Sequence, residues 1–337
     1  MTSSWTAADI PDLAGKTFVI TGANSGLGEA AATAAADHGA RVVLACRTVE
    51  KGEAAARKMP GDVIVRRLDV ADLASVRQFA EQTEDVDVLI NNAGVMATPE
   101  GRTADGFETQ FGTNFLGHFA LTGLLLPKIT ERVVSVSSLA HIVGRIDFTD
   151  PNWLQRRYSR WPAYGQSKLA DLVFAYELHR RLNASGSAVR SFAAHPGLSR
   201  TELHTHTDSV QSTLIAALTG IGQSASMGAL PLLFAATSPD AEGGRYYGPG
   251  GPGEVRGFPR PALSTPAARN LRTASDLWTM AEKLTGVSFL SPAPVGSATV
   301  PVGGAPSPGA LAIAATAAAG AGVLVATAIV AANRRRG

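Results

Sequence analysis

Thr17-Phe18-Val19-Ile20-Thr21-Gly22-Ala23-Asn24-Ser25-Gly26-Leu27-Gly28 runs an apolar, β-branched stretch straight into three glycines. Residues 17–20 read as a buried strand, and residues 29–38 read as a helix with Gly39 at its C-terminal cap. Between them Gly22 permits a tight turn. Gly26 lets backbone approach a pyrophosphate, whose charge a helix N-terminus favours. Gly28 lets helix and strand pack closely, and Asn24, Ser25 and Leu27 complete the loop. A glycine triplet alone also describes an ordinary turn. Its position between strand and helix makes it a dinucleotide loop, although Gly-x3-Gly-x-Gly departs from the commonest fingerprint.

Outward from this loop, short β-branched runs alternate with helical stretches. Residues 17–20, 41–45, 63–68, 86–90, 132–136, 188–193 and 245–247 read as strands, most of them apolar throughout, as strands covered on both faces are. Residues 29–38, 73–83, 105–126, 167–182 and 227–237 read as helices. Such alternation predicts an α/β fold with a doubly wound parallel sheet of about seven strands and right-handed crossovers. Ligands on such sheets bind beyond the carboxyl ends of the strands, so the chemistry belongs in the residues that follow each strand.

The 337 residues allow one large domain or two small ones. A net charge of +2 and the lack of a long basic run in the body of the chain argue against nucleic acid as a partner. The single cysteine, Cys46, excludes an internal disulfide and a multi-cysteine metal site. The polar residues 1–16 show no signal peptide. Residues 291–309 are uncharged and rich in Pro, Gly and Ser, a flexible linker. The expected division is therefore a catalytic domain over 1–290, that linker, and a tail over 310–337.

The strand ends supply candidates. Ala45-Cys46-Arg47 closes the second strand without the carboxylate that an NAD site places on the ribose 2′-hydroxyl. Arg47 is expected to pair with a 2′-phosphate, with Lys51 as a second cation; a solvated surface charge is the plain alternative. Asp69 and Val70 follow the third strand, placed for the adenine, or as an acidic start to the next helix. Asn91-Asn92-Ala93-Gly94 closes the fourth, where small residues leave room for a ribose. Asn114, in Phe111-Gly112-Thr113-Asn114-Phe115, is an amide among aromatics that must be satisfied: a proton relay through water would do so, and so would ordinary core bonds. Ser138 and its rival Ser137 close the fifth strand on opposite faces.

Tyr164 and Lys168 stand four residues apart and share one face of a helix. An ammonium beside a phenol favours the phenolate, lowering a pKa near 10 and making a general acid–base at neutral pH. Of the five tyrosines, only Tyr164 has lysine at this spacing. His195-Pro196-Gly197 follows the sixth strand, with Pro196 and Gly197 shaping a turn toward the nicotinamide amide, Thr201 as a phosphate or amide contact, and His195 in a structural role. His204 and His206 lack an acidic or cysteine partner, and no metal is assigned.

Thr21–Gly28, Asn91–Gly94, Asn114, Ser138 and Tyr164–Lys168, in this order, resemble the short-chain dehydrogenase/reductase family in its compact branch, over roughly residues 13–260. Gly15-Lys16-Thr17, Ala45-Cys46-Arg47, Glu50-Lys51-Gly52 and His195-Pro196-Gly197 are similar to its retinol-dehydrogenase-like and protochlorophyllide-reductase-like members. The resemblance implies a Rossmann fold, selects Ser138 over Ser137 as the substrate-facing serine, and implies hydride transfer between NADP(H) and a carbonyl or alcohol. Tyr164 then exchanges the proton, and Lys168 holds the ribose and relays through Asn114. The Leu-, Ile- and Ala-bearing segment 199–226 lies where this family keeps its substrate loop, which favours a lipophilic substrate. Residues 139–163, with Trp153, Trp161 and four arginines, either rim that pocket or form a solvated insertion. A homodimer or homotetramer is left open.

A rival reading, an NADPH-binding sensor without turnover, predicts decay of the catalytic positions, and all four are present. A second, a membrane scaffold dominated by the tail, predicts membrane association. Residues 310–332 carry no charge and precede Arg334, Arg335 and Arg336. As one helix they are long enough to cross a bilayer. Yet twelve alanines leave only seven Leu, Ile or Val to drive insertion, and the arginines conflict with a cytoplasmic catalytic domain by the positive-inside tendency. A helix along the interface and a soluble alanine-rich tail are the alternatives.

Overall fold

β1 (Thr17–Thr21) lies inside an eight-stranded sheet, paired in parallel with β2 (Arg41–Cys46) on one side and β4 (Val86–Asn91) on the other. The computed structural model describes residues 4–198 and 223–292. Thr201, His204, His206, the segment 199–222, the linker beyond 292 and the apolar run 310–332 all lie outside them. Among the described residues no helix is long and apolar enough to cross a membrane.

The strand order is β3-β2-β1-β4-β5-β6-β7-β8, with β3 (Val63–Arg67), β5 (Ile129–Val136), β6 (Arg190–Ala194), β7 (Tyr246–Pro249) and β8 (Pro259–Pro261). The order reverses between β1 and β4, so the glycine loop opens at the topological switch point. Seven strands are parallel, and β8 adds an eighth, antiparallel to β7. Two prolines in three residues hide β8 from sequence reading, since proline is tolerated in a sheet only at an edge or bulge.

Helices cover both faces. α1 (Gly26–Asp37) and α6 (Ala225–Thr237) lie on one, where Ala31, Ala32, Ala35 and Ala36 bring α1 close to the strands. α3 (Leu73–Gln82), α4 (Gly117–Leu125), α5 (Arg160–Ala184) and α7 (Leu271–Thr285) contribute to the core of the other. There Trp278 of α7 packs on Phe119, Phe174 and Phe289 at centroid distances of 5.1, 5.8 and 4.7 Å. α7 and α2 (Val49–Ala56) are additions to the expected elements. An interior glycine, Gly52, disfavours α2 by propensity, and packing against β2 and β3 overrides it.

Two helices differ from expectation in their starts. The helix expected over 105–126 starts as a π-helical turn, Phe111–Leu116, before α4. Asp105 is spent accepting from the Leu73 N–H, and Gly106 takes a φ of +82°. The buried Glu108 carboxylate accepts the Gln110 and Phe111 N–H groups. α5 starts seven residues earlier than expected, because Pro162 falls in its first turn, where a missing N–H costs nothing.

Candidate active site

The ends of β1, β4 and β5 and the first turns of α5 converge. Thr21 ties the first two together. Its hydroxyl accepts the N–H groups of Asn92 and Ala93, both at 2.9 Å, while its carbonyl accepts Asn92 Nδ2 at 2.8 Å. His118 approaches the same hydroxyl through Nε2 at 2.9 Å, and its Nδ1 lies 2.7 Å from the Asn114 carbonyl. A carbonyl only accepts, so Nδ1 carries the proton and Nε2 accepts from Thr21. The glycine loop, the β4 turn and the π-helical turn are thus one network. His118 was not singled out in the sequence; its place four residues after Asn114 is the one signal there.

Asn114 is 1% exposed, with both ends of its amide bonded. Its Oδ1 accepts from Val95 N, and its Nδ2 donates to the Val95 carbonyl and to Ser167 Oγ. These are core bonds between the β4 turn and α5. Asn91 likewise donates to Thr122 Oγ1 and is turned inward. Gly94 is exposed, and a Cβ there would stand 3.1 Å from Asn114 Oδ1 and 3.7 Å from Lys168 Nζ. The missing side chain leaves backbone open beside the lysine.

Ser138 and Ser137 divide as alternation requires. Ser137 is buried and donates to the Lys168 carbonyl at 2.8 Å. Ser138 is half-buried, caps the short 3₁₀ helix Leu139–Val143 by accepting from Ala140 N, and keeps its own proton to donate. That segment lies against α5 because Gly165 has no side chain: a Cβ would sit 3.1 Å from the Ala140 carbonyl oxygen. Tyr164 is 4% exposed, with Trp161 edge-on at 6.2 Å and Lys168 Nζ 5.9 Å from its ring centroid. Lys168 Nζ donates to the Val136 carbonyl and to Asp171 Oδ2, both at 2.9 Å.

The stretch 139–163 is folded onto the protein at both its middle and its end. Its middle is a folded anchor: Asp150 accepts three successive backbone N–H groups from Leu154 to Arg156, and the Arg156 guanidinium lies 3.7 Å over the buried Trp153. Its end brings the part-exposed Trp161 beside Tyr164.

Beyond β2, Arg47 and Lys51 are exposed, and among the described residues neither is ion-paired. Asp69 is half-buried, with Oδ1 accepting from Ala71 N, and Val70 is buried. Asn24 is half-buried, Ser25 exposed, and Gly22 and Gly26 adopt φ of +66° and +61°. Beyond β6, His195 is structural. Its Nε2 donates to Glu254 Oε2 at 3.1 Å and its Nδ1 accepts from Gly197 N. The Pro196 carbonyl accepts from Gln223, so these backbone groups are engaged within the protein.

Burial pushes His118, His141 and His179 each down to about 4. An unfolded chain takes up these protons near 6.5, and the folded one refuses them until about 4. Their contribution to stability is therefore complete above about pH 6.5 and lost as pH falls toward 4. Asp171, raised to about 7, and Glu108, also raised, work the other way, since burial makes the folded state take up their protons first. Three groups outweigh two, so the urea midpoint is expected to be lower at pH 5 than at pH 7.5, read by tryptophan fluorescence. An equal or higher midpoint at pH 5 would refute the neutral histidines.

Sheet order, glycine loop and the serine–tyrosine–lysine cluster together define an oxidoreductase with a dinucleotide site at its switch point. The family model for short chain dehydrogenase matches residues 16–211, and the chain belongs to that family. It is similar to retinol dehydrogenase 13 of Homo sapiens, 42% identical over 293 residues, covering 81% of this chain and 85% of that protein. Retinol dehydrogenase 11 of Homo sapiens is 47% identical over 219 residues, covering 61% and 68%. Among solved structures, an uncharacterized protein from Mycobacterium Paratuberculosis is 49% identical with a TM-score of 0.75, covering 85% of this chain and 99% of that one.

Proposed function

We propose that the protein transfers hydride between NADP(H) and the carbonyl or alcohol group of a small lipophilic substrate, with Tyr164 as general acid–base. The observation that carries this reading is the buried Tyr164–Lys168 pair of α5, a helix that packs on the 3₁₀ segment capped by Ser138. Ser138 donates to the substrate oxygen and holds it toward Tyr164. The phenol gives its proton to that oxygen in reduction and takes it back in oxidation, and the Lys168 charge makes the exchange accessible near neutrality.

A nicotinamide dinucleotide, when bound, supplies or accepts the hydride. The residues present fit one: the positive-φ glycines and α1 N-terminus suit a pyrophosphate, and the open backbone at Gly94 beside Lys168 suits a ribose. Asn24, Ser25 and Leu27 would line the loop, Asp69 and Val70 the adenine side, and Asn91 and Ala93 the ribose side through backbone. Pro196 and Gly197 would offer their backbone to the carboxamide, and Thr201 is assigned with them. Asn114 acts as a brace between the β4 turn and α5. The similarity to retinol dehydrogenases, the part-exposed Trp161 and the exposed Leu198 favour an apolar substrate such as a retinoid. NADPH oxidation screened against aldehydes, ketones, retinoids and steroids tests the reading; no turnover on any of them would count against it.

Arg47 and Lys51 carry the preference for the 2′-phosphate. Arg47→Asp replaces a charge-assisted contact of about 1.5–3 kcal/mol by repulsion, so NADPH should weaken relative to NADH by roughly ten- to a hundred-fold. Titration with both dinucleotides measures this, and an unchanged preference removes Arg47 from the site. The tail, residues 310–332, is assigned to membrane attachment of an otherwise cytoplasmic domain. Deleting 291–337 should preserve activity and move the protein into the soluble fraction; a full-length protein already soluble without detergent would dismiss the anchor.

A further inference from the structure

Tyr164, Lys168 and Asp171 stand at i, i+4 and i+7, one stripe of α5. The last of them has no part in the proton exchange described above, yet its carboxylate Oδ2 lies 2.9 Å from Lys168 Nζ. The pair is closed off from water, with side chains 7% and 6% exposed. A buried carboxylate costs stability that an apolar residue would not, even when paired. It also faces the one cation that sets the acidity of the tyrosine. An ammonium draws the phenol toward phenolate, and a carboxylate behind that ammonium opposes the pull.

We propose that Asp171 is a positioning residue that holds the Lys168 ammonium at the Val136 carbonyl and partly cancels its charge at Tyr164, so that the phenol keeps its proton to higher pH than an unopposed lysine would allow. This rests on the Tyr164–Lys168 reading above. The protonated phenol is the form that carbonyl reduction consumes, so Asp171 favours the reductive direction.

The surroundings leave this pair in control. From α4, His118 is neutral at working pH, and so is His141 from the 3₁₀ segment after β5. From β7, Tyr246 is held protonated by burial. β5 presents the Val136 carbonyl. Burial pushes the Asp171 carboxyl up to about 7 against the lowering pull of Lys168, so it is the carboxylate on the alkaline side, where the tyrosine titration is read. Seven residues of helix separate Asp171 from Tyr164 by about 10 Å. At that distance a unit charge in a half-screened interior moves a pKa by about one unit, a tenfold change in the ionised fraction.

The test replaces Asp171 by Asn in the full-length protein. Phenolate formation is followed by ultraviolet difference titration, with Tyr164→Phe identifying the signal, beside the pH profile of kcat for reduction. The Tyr164 midpoint should fall by about one pH unit, and the alkaline limb of reduction should move with it, costing about tenfold in rate on that limb. Asp171→Ser, which removes the charge with a smaller side chain, should do the same, and Asp171→Glu should bring the midpoint back toward wild type. A midpoint unmoved or raised in both neutral variants overturns the proposal, however much stability they lose, because a merely structural ion pair leaves tyrosine ionisation alone. That failure is separable from a failure of the general acid–base, which Tyr164→Phe would reveal by retaining turnover.

Discussion

Tyr164→Phe is expected to lower kcat by roughly a hundred- to ten-thousand-fold, the usual contribution of a positioned proton donor. The change deletes one oxygen from a ring that is 4% exposed, and the space is that of the same ring. Trp161 keeps its edge-on neighbour, and Lys168 keeps its bonds to Val136 and Asp171. Dinucleotide affinity should therefore change little, because the glycine loop and the Arg47 side are untouched. A loss in kcat with the dinucleotide Kd preserved separates chemistry from binding. Single-turnover rates and equilibrium titration of NADPH make the two measurements. A variant that turned over near the wild-type rate would mean that another group supplies the proton, and the half-buried Ser138 hydroxyl would be the first to examine.

The sheet was readable because its strands are covered on both faces and so are written as short, mostly apolar runs, as in 42–45 and 88–90. The glycine loop was readable because backbone geometry, rather than side-chain chemistry, demands glycine there. Elements set by tertiary contact were not. β8 is a strand despite its prolines because β7 offers an edge, and α2 forms despite Gly52 because β2 and β3 receive it. In the site, Tyr164 and Lys168 declare themselves by helical spacing. Asn114 does not declare which way its amide faces, and the structure turns it to Val95 and Ser167, in the manner of a core asparagine. His118 and Asp171 were missed for a related reason. Each is bonded to a residue that the sequence singles out, His118 to Asn114 and Asp171 to Lys168, and nothing in a linear sequence distinguishes a buried partner from a solvated charge.

Gly28→Val is expected to abolish dinucleotide binding and to destabilise the fold. A Cβ at this position would stand 2.6 Å from the Gly22 carbonyl oxygen, 2.6 Å from Asn92 Nδ2 and 2.9 Å from the Ala23 Cα. Two of these are backbone atoms of the glycine loop, and the third is bonded to the Thr21 carbonyl. None can retreat without dragging the loop off β1 or breaking its tie to the β4 turn. Forced overpacking of this kind costs about 1–3 kcal/mol, and valine adds two methyl groups beyond the Cβ. The displaced α1 N-terminus would no longer face a pyrophosphate, so the electrostatic part of binding is lost with the shape. Chemical unfolding with and without NADPH reads both effects. The wild type should gain about 2.7 kcal/mol at a ligand concentration a hundred times Kd, while the variant starts lower and gains nothing. If the variant were stabilised by NADPH as the wild type is, the dinucleotide would have to bind somewhere other than the loop after β1, and the assignment of Arg47, Gly94 and Lys168 to its flanks would fall with it.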